Sequence, residues 1–495
     1  MEYLEIAPLS QLLTHFRYHL NLRSQEGLYH ALIIFRLSAD TENTNIPSEQ
    51  TPENIGEKQV STEILSEDNG LVATHRQIYA MEASCPHLGA DMSHAEIEEC
   101  ETSVIAVCPW HRYDFDLKTG ESETGLRACT YAVEVRMDTE RKMEKVFLES
   151  PKRGSSWQVV ELRPVSEEFA DPPPKTAPVL PVVPSAEPRE PEPVVPDNGA
   201  PTTLIQWAVL ILNTPNPILK VERTRHAVHQ FRIGKLKAIG HKSSNTPSPP
   251  DVPPREASWT SNSVAPYKVK NNKNRASMLH ALANIEQWAI DLAWDIIARF
   301  GPKHPDLPHA FFSDFSKMAL DESKHFSLLT SRLAAISPST PYGSMPVHAS
   351  LWESAIVTSD SFRARLAIIH LVHEARGLDV NPATIQRFRK AGDHETVDVM
   401  EIIHADEVTH VTSGHRWFTW ICVQQGGVDP VATFREEVKK GWKGDIKGPF
   451  NVEARERAGL TPHFYEDLRG ELGDQEKANY QAPDKQVSVN IGYDL

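Results

Sequence analysis

Six residues in the C-terminal half of this 495-residue chain fall into two matching halves. Glu286 precedes the run Asp321-Glu322-Ser323-Lys324-His325, and Glu374 precedes Asp406-Glu407-Val408-Thr409-His410. Each half is a lone glutamate on one apolar stretch, then Glu-x-x-His on the next. The paired glutamates stand 36 residues apart in the first half and 33 in the second. Residues i and i+3 share a helix face, so each Glu-x-x-His can aim a carboxylate and an imidazole at one point. Glu286 and Glu374 sit inside apolar stretches, where an unpaired charge is costly. A solvated helix face would account for one such motif, but accounts poorly for two. Hard carboxylates with imidazoles suit redox-active iron or manganese.

Four helices must present these side chains, at about 275–300, 309–335, 359–376 and 392–424. Leu279, Leu282, Ile285, Ile290, Ala293, Ile296, Ile297 and Phe300 form a broad stripe at helical spacing on the first. Gly301-Pro302 and Gly426-Gly427 are stop signals. The 337–358 connection is long enough to cross over. Four glutamates and two histidines from four helices are the ligand set of ferritin-like di-iron or di-manganese bundles. The stretches around Glu286, Ala289 to Asp295, Glu374 to Asp379, Asp406 to His410 and Pro449-Phe450-Asn451 resemble an uncharacterised ferritin-like family. The likeness runs from about 202 to 470. It implies Glu286, Glu322, His325, Glu374, Glu407 and His410 as ligands and catalytic residues of a di-iron or Mn/Fe centre. Asn284 stands where that family often has histidine. Asp321 and Asp406 are candidates to hold the imidazoles from behind, since a metal-bound histidine needs its second nitrogen fixed. For His280, His373 and His404 packing is the simpler expectation.

A second chemistry lies near the N-terminus, in Cys85-Pro86-His87-Leu88-Gly89-Ala90 and Cys108-Pro109-Trp110-His111. Two thiolates and two imidazoles could hold a structural zinc or an iron–sulfur cluster. Cys-x-His and Cys-x2-His, 20 residues apart and followed by Asp114-Phe115-Asp116 and Gly120, resemble the cluster loops of soluble Rieske ferredoxins. The resemblance covers about residues 26–160 and implies a [2Fe–2S] cluster on Cys85, His87, Cys108 and His111. Respiratory Rieske proteins carry a further disulfide where this chain has Ala90 and Trp110. Tyr113 and Phe115 stand at the positions of hydroxyls that bond the cluster sulfurs there, which implies a low potential within the Rieske range. Arg112 replaces a usual glycine. Strands are expected at 28–35, 72–74, 78–80, 104–107, 131–135 and 145–148, making a small antiparallel β domain. Residues 1–24 read as mixed helix and loop, and 39–68 as a polar insertion.

The organisation expected is multidomain α+β. It runs as a Rieske-type β domain (1–165), a Pro-rich linker (166–203), an all-α ferritin-like four-helix bundle (204–470) and a tail (471–495). Eleven prolines fall between Pro172 and Pro201, which favours an extended, semi-rigid spacer. A net charge of −16 argues against nucleic-acid or anionic-lipid partners. The basic stretch Arg232 to Lys242 is the local exception, read as a solvated helix face. The most apolar run, Leu204 to Leu212, has nine residues and is too short to span a bilayer. Five cysteines argue for a reducing, cytoplasmic setting. Cys100, Cys129 and Cys422 read as small core residues or free thiols. One-electron and two-metal sites on one chain point to an O2-activating oxidoreductase fed by an external reductase and acting on a small organic substrate. The alternatives are a ferritin-like ferroxidase and a redox-sensing or electron-carrier protein without turnover.

Overall fold

The computed structural model describes residues 2–13, 15–37, 77–100, 103–138, 141–165, 192–243, 245–255, 274–345 and 347–473. The expected insertion at 39–68, the strand at 72–74, most of the Pro-rich segment and nearly all of the tail lie outside them.

The β region begins with β1 (Tyr3–Pro8), a 3-10 turn (Leu9–Leu13), β2 (Arg17–Arg23), β3 (Tyr29–Leu37) and β4 (Gln77–Glu82). Next come β5 (Glu96–Glu99), β6 (Val104–Val107) and β7 (Asp114–Asp116). It ends with β8 (Thr130–Tyr131), β9 (Val133–Asp138), β10 (Met143–Glu149) and β11 (Gln158–Pro164). Three antiparallel sheets result, in the orders β11-β2-β3-β4-β8, β1-β10-β9 and β5-β6-β7. The N-terminal segment is thus strand, not mixed helix and loop. In β2, Tyr18, Leu20 and Leu22 alternate inward, a period of two that the apolar spacing of Leu9, Leu12, Leu13 and Phe16 obscures. The two cysteine–histidine loops connect β4 to β5 and β6 to β7, next to one another.

From residue 204 the chain is helical. α1 (Leu204–Leu212) and α2 (Pro217–Arg232) come first, then α3 (Arg275–Phe300) and α4 (His309–Ile336). α5 (Ser350–Val357) lies within the crossover, and α6 (Phe362–Ala367) runs through a π-helical turn (Ile368–His373) into α7 (Glu374–Lys390). α8 (His394–Gln424) and α9 (Pro430–Gly441) follow, with α10 (Val452–Arg457), α11 (Pro462–Tyr465) and the short pair β12 (Lys443–Asp445) and β13 (Arg469–Glu471) closing the domain. α3 packs on α4, α7 on α8 and α4 on α8. Local signals set the ends. Asn274 and Asp393 accept backbone hydrogen bonds at the starts of α3 and α8, satisfying orphan N–H groups. Gly301 caps α3.

The inner face of α3 follows Leu279, Ala283, Glu286 and Ile290, all buried, while Ile285 is 40% exposed. Glu286 therefore belongs to the stripe that Ile285 was expected to extend. The segment expected at 359–376 divides at the π turn, whose extra residue per turn re-aims the backbone just before Glu374. It packs hard against α8. A Cβ at Gly414 would lie 2.1 Å from the His370 carbonyl oxygen, so only glycine fits there.

One apolar core runs from Ile33, Phe35, Met81 and Trp110 of the β region into Phe231, Phe311 and Trp417 of the helices. A second, holding Leu12, Leu20, Leu32 and Val146, is internal to the β sheets. The two regions are joined by packing as well as by chain. The basic stretch after Arg232 is not a helix face: α2 ends there, and Gly234 abuts Pro109 and Trp110. The end of the Pro-rich segment is also fixed, since Arg223 bonds Glu192, Pro193 O and Val194 O at 2.5, 3.0 and 3.1 Å. No helix among the described residues is long and apolar enough to cross a membrane.

Candidate functional site

The loops at Cys85 and Cys108 face each other. Backbone hydrogen bonds Gly89 N to Cys85 O and Cys85 N to Ala90 O close the first, and Cys108 N to Tyr113 O closes the second. Gly89 has a positive φ of 78°, which the first turn demands. Arg112, at the position of a usual glycine, also takes positive φ, 60°. Its exposed side chain pairs with Glu96 and, at 3.4 Å, with Glu98. Both thiols are buried. A hydrogen bond between them lowers Cys108 to about 6 and raises Cys85. The imidazoles of His87 and His111 lie outward, 4.9 Å between centroids, with Tyr113 4.5 Å from His87. His87 Nδ1 is buried without a hydrogen-bond partner. Two inner sulfurs, two outer imidazoles and an orphan nitrogen fit a [2Fe–2S] cluster.

In the helical region the six expected side chains converge from α3, α4, α7 and α8. Among the described residues, donor atoms of Glu286, Glu322, His325 and Glu407 lie within 4.8 Å of one another, as do those of Glu322, Glu374, Glu407 and His410. Glu322 and Glu407 belong to both groups, so the two groups share one pair of carboxylates. Glu286 with His325 completes the first group, and Glu374 with His410 the second. His325 Nδ1 is 3.2 Å from Glu322 Oε2 and 3.6 Å from Glu286 Oε2. His410 Nδ1 is 3.0 Å from Glu322 Oε1, yet neither atom has hydrogen-bond geometry to a partner. His325 Nδ1 does hydrogen-bond Glu322 Oε2, but the close, unbonded pair of Glu322 Oε1 and His410 Nδ1 is an arrangement a shared cation would satisfy, and four carboxylates would balance two divalent charges.

The aspartates face the imidazoles crosswise. Asp406, from the second motif, lies 3.0 Å from Nε2 of His325. Asp321, from the first, faces Nε2 of His410 at 3.5 Å without hydrogen-bond geometry. The hydrogen bond to Asp406 turns the His325 ring with Nδ1 toward the carboxylates, and the His410 ring takes the same orientation facing Asp321.

Burial sets the electrostatics. It raises Glu286 to about 8 and Glu374 to about 7, with the Glu322 charge adding to both. Glu407 is raised well above the usual range by burial and by Glu374. Burial works against Glu322 too, but His410 and His325 outweigh it and hold that carboxyl below the usual range. His325 and His410 are both raised, their carboxylate partners overcoming burial.

These shifts predict how the metal-free protein responds to pH. The unfolded chain releases the Glu286 and Glu374 protons near 4.5, whereas the fold keeps them to about 8 and about 7. Between those values the folded state binds more protons, so its stability falls as pH rises through the window. The raised histidines act in the same direction above 6.5. Glu322 has the opposite sign, and its contribution is lost as pH falls below the ordinary carboxyl range. Divalent cations displace the same protons, so their affinity rises with pH. Chelator-treated protein should have a lower unfolding midpoint at about pH 8 than at about pH 6, and added Mn(II) should restore more at the higher pH. A flat midpoint with and without Mn(II) would mean that these carboxyls do not share one buried site.

The remaining expectations resolve individually. Asn284 donates to His348 O at 2.9 Å, and His280 Nε2 accepts from Gly343 N at 2.9 Å, so both fasten the crossover. His373 packs on Trp442. Cys100 and Cys129 are exposed and Cys422 is buried. Three residues near the site were not anticipated. Lys324 Nζ sits 2.5 Å from Asp406 Oδ2. His370, four residues before Glu374, is fully buried with neither ring nitrogen bonded, and burial keeps it neutral. Arg163, from β11, reaches Asp321 and Asp406 across the sheet–helix boundary. The motif carried a signal for Lys324 alone. The second cysteine–histidine loop also packs on the helical region, at the start of α4 rather than at the carboxylate–histidine cluster. Trp110 lies 4.6 Å from His309 at the start of α4, and His309 stacks on Phe231.

These features define a Rieske-type domain packed on a helical domain with a buried carboxylate–histidine cluster. Residues 50–126 match the family described as soluble Rieske-type ferredoxin, and such a domain implies a [2Fe–2S] cluster. Residues 213–466 match the family described as Protein of unknown function (DUF455), and the chain belongs to that family. An uncharacterised protein of Haemophilus influenzae is 36% identical over 191 residues, 38% of this chain. The match spans 65% of that relative's length. A solved structure from Mycobacterium tuberculosis, described as a proposed NADH-dependent nitrite reductase small subunit, aligns at 12% identity. It covers 30% of this chain and 96% of its own, with a TM-score of 0.19.

Proposed function

We propose that this protein is an iron-dependent oxidoreductase in which the Rieske-type domain passes electrons to a ferritin-like, carboxylate-bridged di-iron or Mn/Fe site that uses O2. The observation that carries the reading is the convergence of four glutamates and two histidines on one buried point, in a chain whose Rieske-type loops pack on the same helical domain. When bound, the cluster supplies electrons singly and the two-metal centre supplies O2 reduction and oxidation of a small organic substrate. Glu322 and Glu407, common to both donor groups, would hold the two metals jointly, with Glu286 and His325 completing one site and Glu374 and His410 the other. Asp406 fixes the His325 orientation by a hydrogen bond, and Asp321 faces His410 at 3.5 Å. The surrounding apolar side chains exclude water, which strengthens each of these contacts. His111 is exposed and Leu88 is 57% exposed beside His87, so the imidazole side of the cluster site is open to an external reductase.

Oxygen uptake with reductase and with a small chemical reductant tests the reading. Cys85→Ala, which lacks the cluster, should lose reductase-driven uptake and regain it with the chemical reductant. Equal reductase-driven rates in wild type and Cys85→Ala would favour an independent ferroxidase with a passenger domain.

A further inference from the structure

Both imidazoles of the helical site face aspartates, His325 through a hydrogen bond to Asp406 and His410 at 3.5 Å from Asp321, and an arginine from the other domain pairs with both aspartates. Arg163 lies on β11, the last strand of the Rieske-type region, next to β2 in the five-stranded sheet. Its Nη2 is 2.7 Å from Asp321 Oδ1, and its Nη1 is 3.0 Å from Asp321 Oδ2 and 3.2 Å from Asp406 Oδ1. One guanidinium thus spans carboxylates on α4 and α8. Those carboxylates in turn meet Nε2 of His410 and Nε2 of His325. Lys324 provides the second positive charge, at Asp406. Asp321 and Asp406 are nearly fully buried, and without Arg163 two facing carboxylates would be left with one lysine between them.

We infer that Arg163 is a positioning residue for the helical metal site, supplied by the Rieske-type domain, so that this domain completes the site rather than swinging toward it on the Pro-rich segment. The inference rests on the reading of the helical cluster as a metal centre. The planar guanidinium fork suits it to this task, because it reaches two carboxylates on different helices at fixed angles, which an ammonium does not. Neighbouring contacts fasten the same seam. Lys317 of α4 bonds Glu161 of β11 at 2.6 Å, Arg23 bonds Glu456 O at 2.7 Å, and Tyr29 Oη meets His415 Nδ1 at 2.7 Å. Arg232, at the end of α2, lies within charge range of Asp91 beside the first cluster loop and of Asp321. The boundary between cluster loop and metal site is therefore charged and paired.

The test is Co(II) binding to the full-length protein with its cluster in place, read from the visible bands of the bound ion and by competition with a chelator. Cluster EPR reports on the β domain in parallel. Arg163→Met should lower Co(II) affinity by about 10–100-fold, the usual effect of removing a partner behind a ligand, and alter the bands while the EPR signal stays at its wild-type level. Arg163→Lys should show a smaller loss, because charge remains but the fork does not. Lys317→Met removes a seam contact that touches neither aspartate, and should bind as wild type does.

Wild-type affinity in Arg163→Met overturns the inference, as does an equal loss in Lys317→Met, which would assign the effect to docking in general. If Arg163→Met loses the EPR signal through misfolding, Arg163→Lys decides: weaker binding with the signal intact supports the inference, and wild-type binding overturns it. Should wild type bind no Co(II) that Glu322→Ala loses, the metal-centre reading fails first. Normal wild-type binding with an inert Arg163 leaves that reading standing.

Discussion

Glu322→Ala is expected to remove both metal ions from the helical site while leaving the Rieske-type signal intact. Glu322 belongs to both donor groups and lies 3.0 Å from His410 Nδ1 and 3.2 Å from His325 Nδ1. Losing a partner behind a ligand costs roughly 10–100-fold in affinity, and losing a shared ligand should exceed that at both positions. Glu286 stands in one group only, so Glu286→Ala should weaken one position and spare the other. Metal analysis with Co(II) titration distinguishes these patterns. Two metals at wild-type affinity in Glu322→Ala would exclude the bridging role. Equal losses in the two variants would mean that the donor groups do not divide as their geometry indicates.

His111→Ala is the corresponding prediction for the other site. His111 is exposed on a loop closed by backbone bonds at Cys108, so its removal should leave the packing of Trp110 on His309 undisturbed. The rhombic EPR signal of the reduced protein should disappear. The two helical metals should remain, since none of their donors lies in the β region. Purified wild type containing stoichiometric zinc, without visible absorbance, would contradict the cluster assignment before any variant is made.

Much of this arrangement was legible in the chain because its signals are local. Glu-x-x-His spacing puts a carboxylate and an imidazole on one helix face, and Cys-x-His with Cys-x2-His encloses its site in two short loops. The helices at 275–300 and 309–335 closely match α3 and α4, whose periodicity is long. What stayed hidden depends on partners distant in sequence. β2 alternates over seven residues and becomes recognisable through its pairing with β3 and β11. The π turn before Glu374 exists where Gly414 of another helix makes room for the His370 carbonyl. Arg163 is an unremarkable strand residue until the fold sets it beside Asp321 and Asp406. The Pro-rich composition suggested domains held apart, but an apolar core shared across the boundary joins them.

The central claim is that electrons leave the Rieske-type cluster through the helical site, and the most direct measurement follows the cluster itself. Wild type and Glu322→Ala, both with intact clusters, are reduced without oxygen and then mixed with oxygenated buffer in a stopped-flow instrument. The returning visible absorbance of the oxidised cluster is recorded. With donor and acceptor in one packed molecule, wild type should re-oxidise at least roughly tenfold faster than Glu322→Ala. Identical rates would mean that the cluster gives its electrons to oxygen or another acceptor without the helical site, contradicting the account.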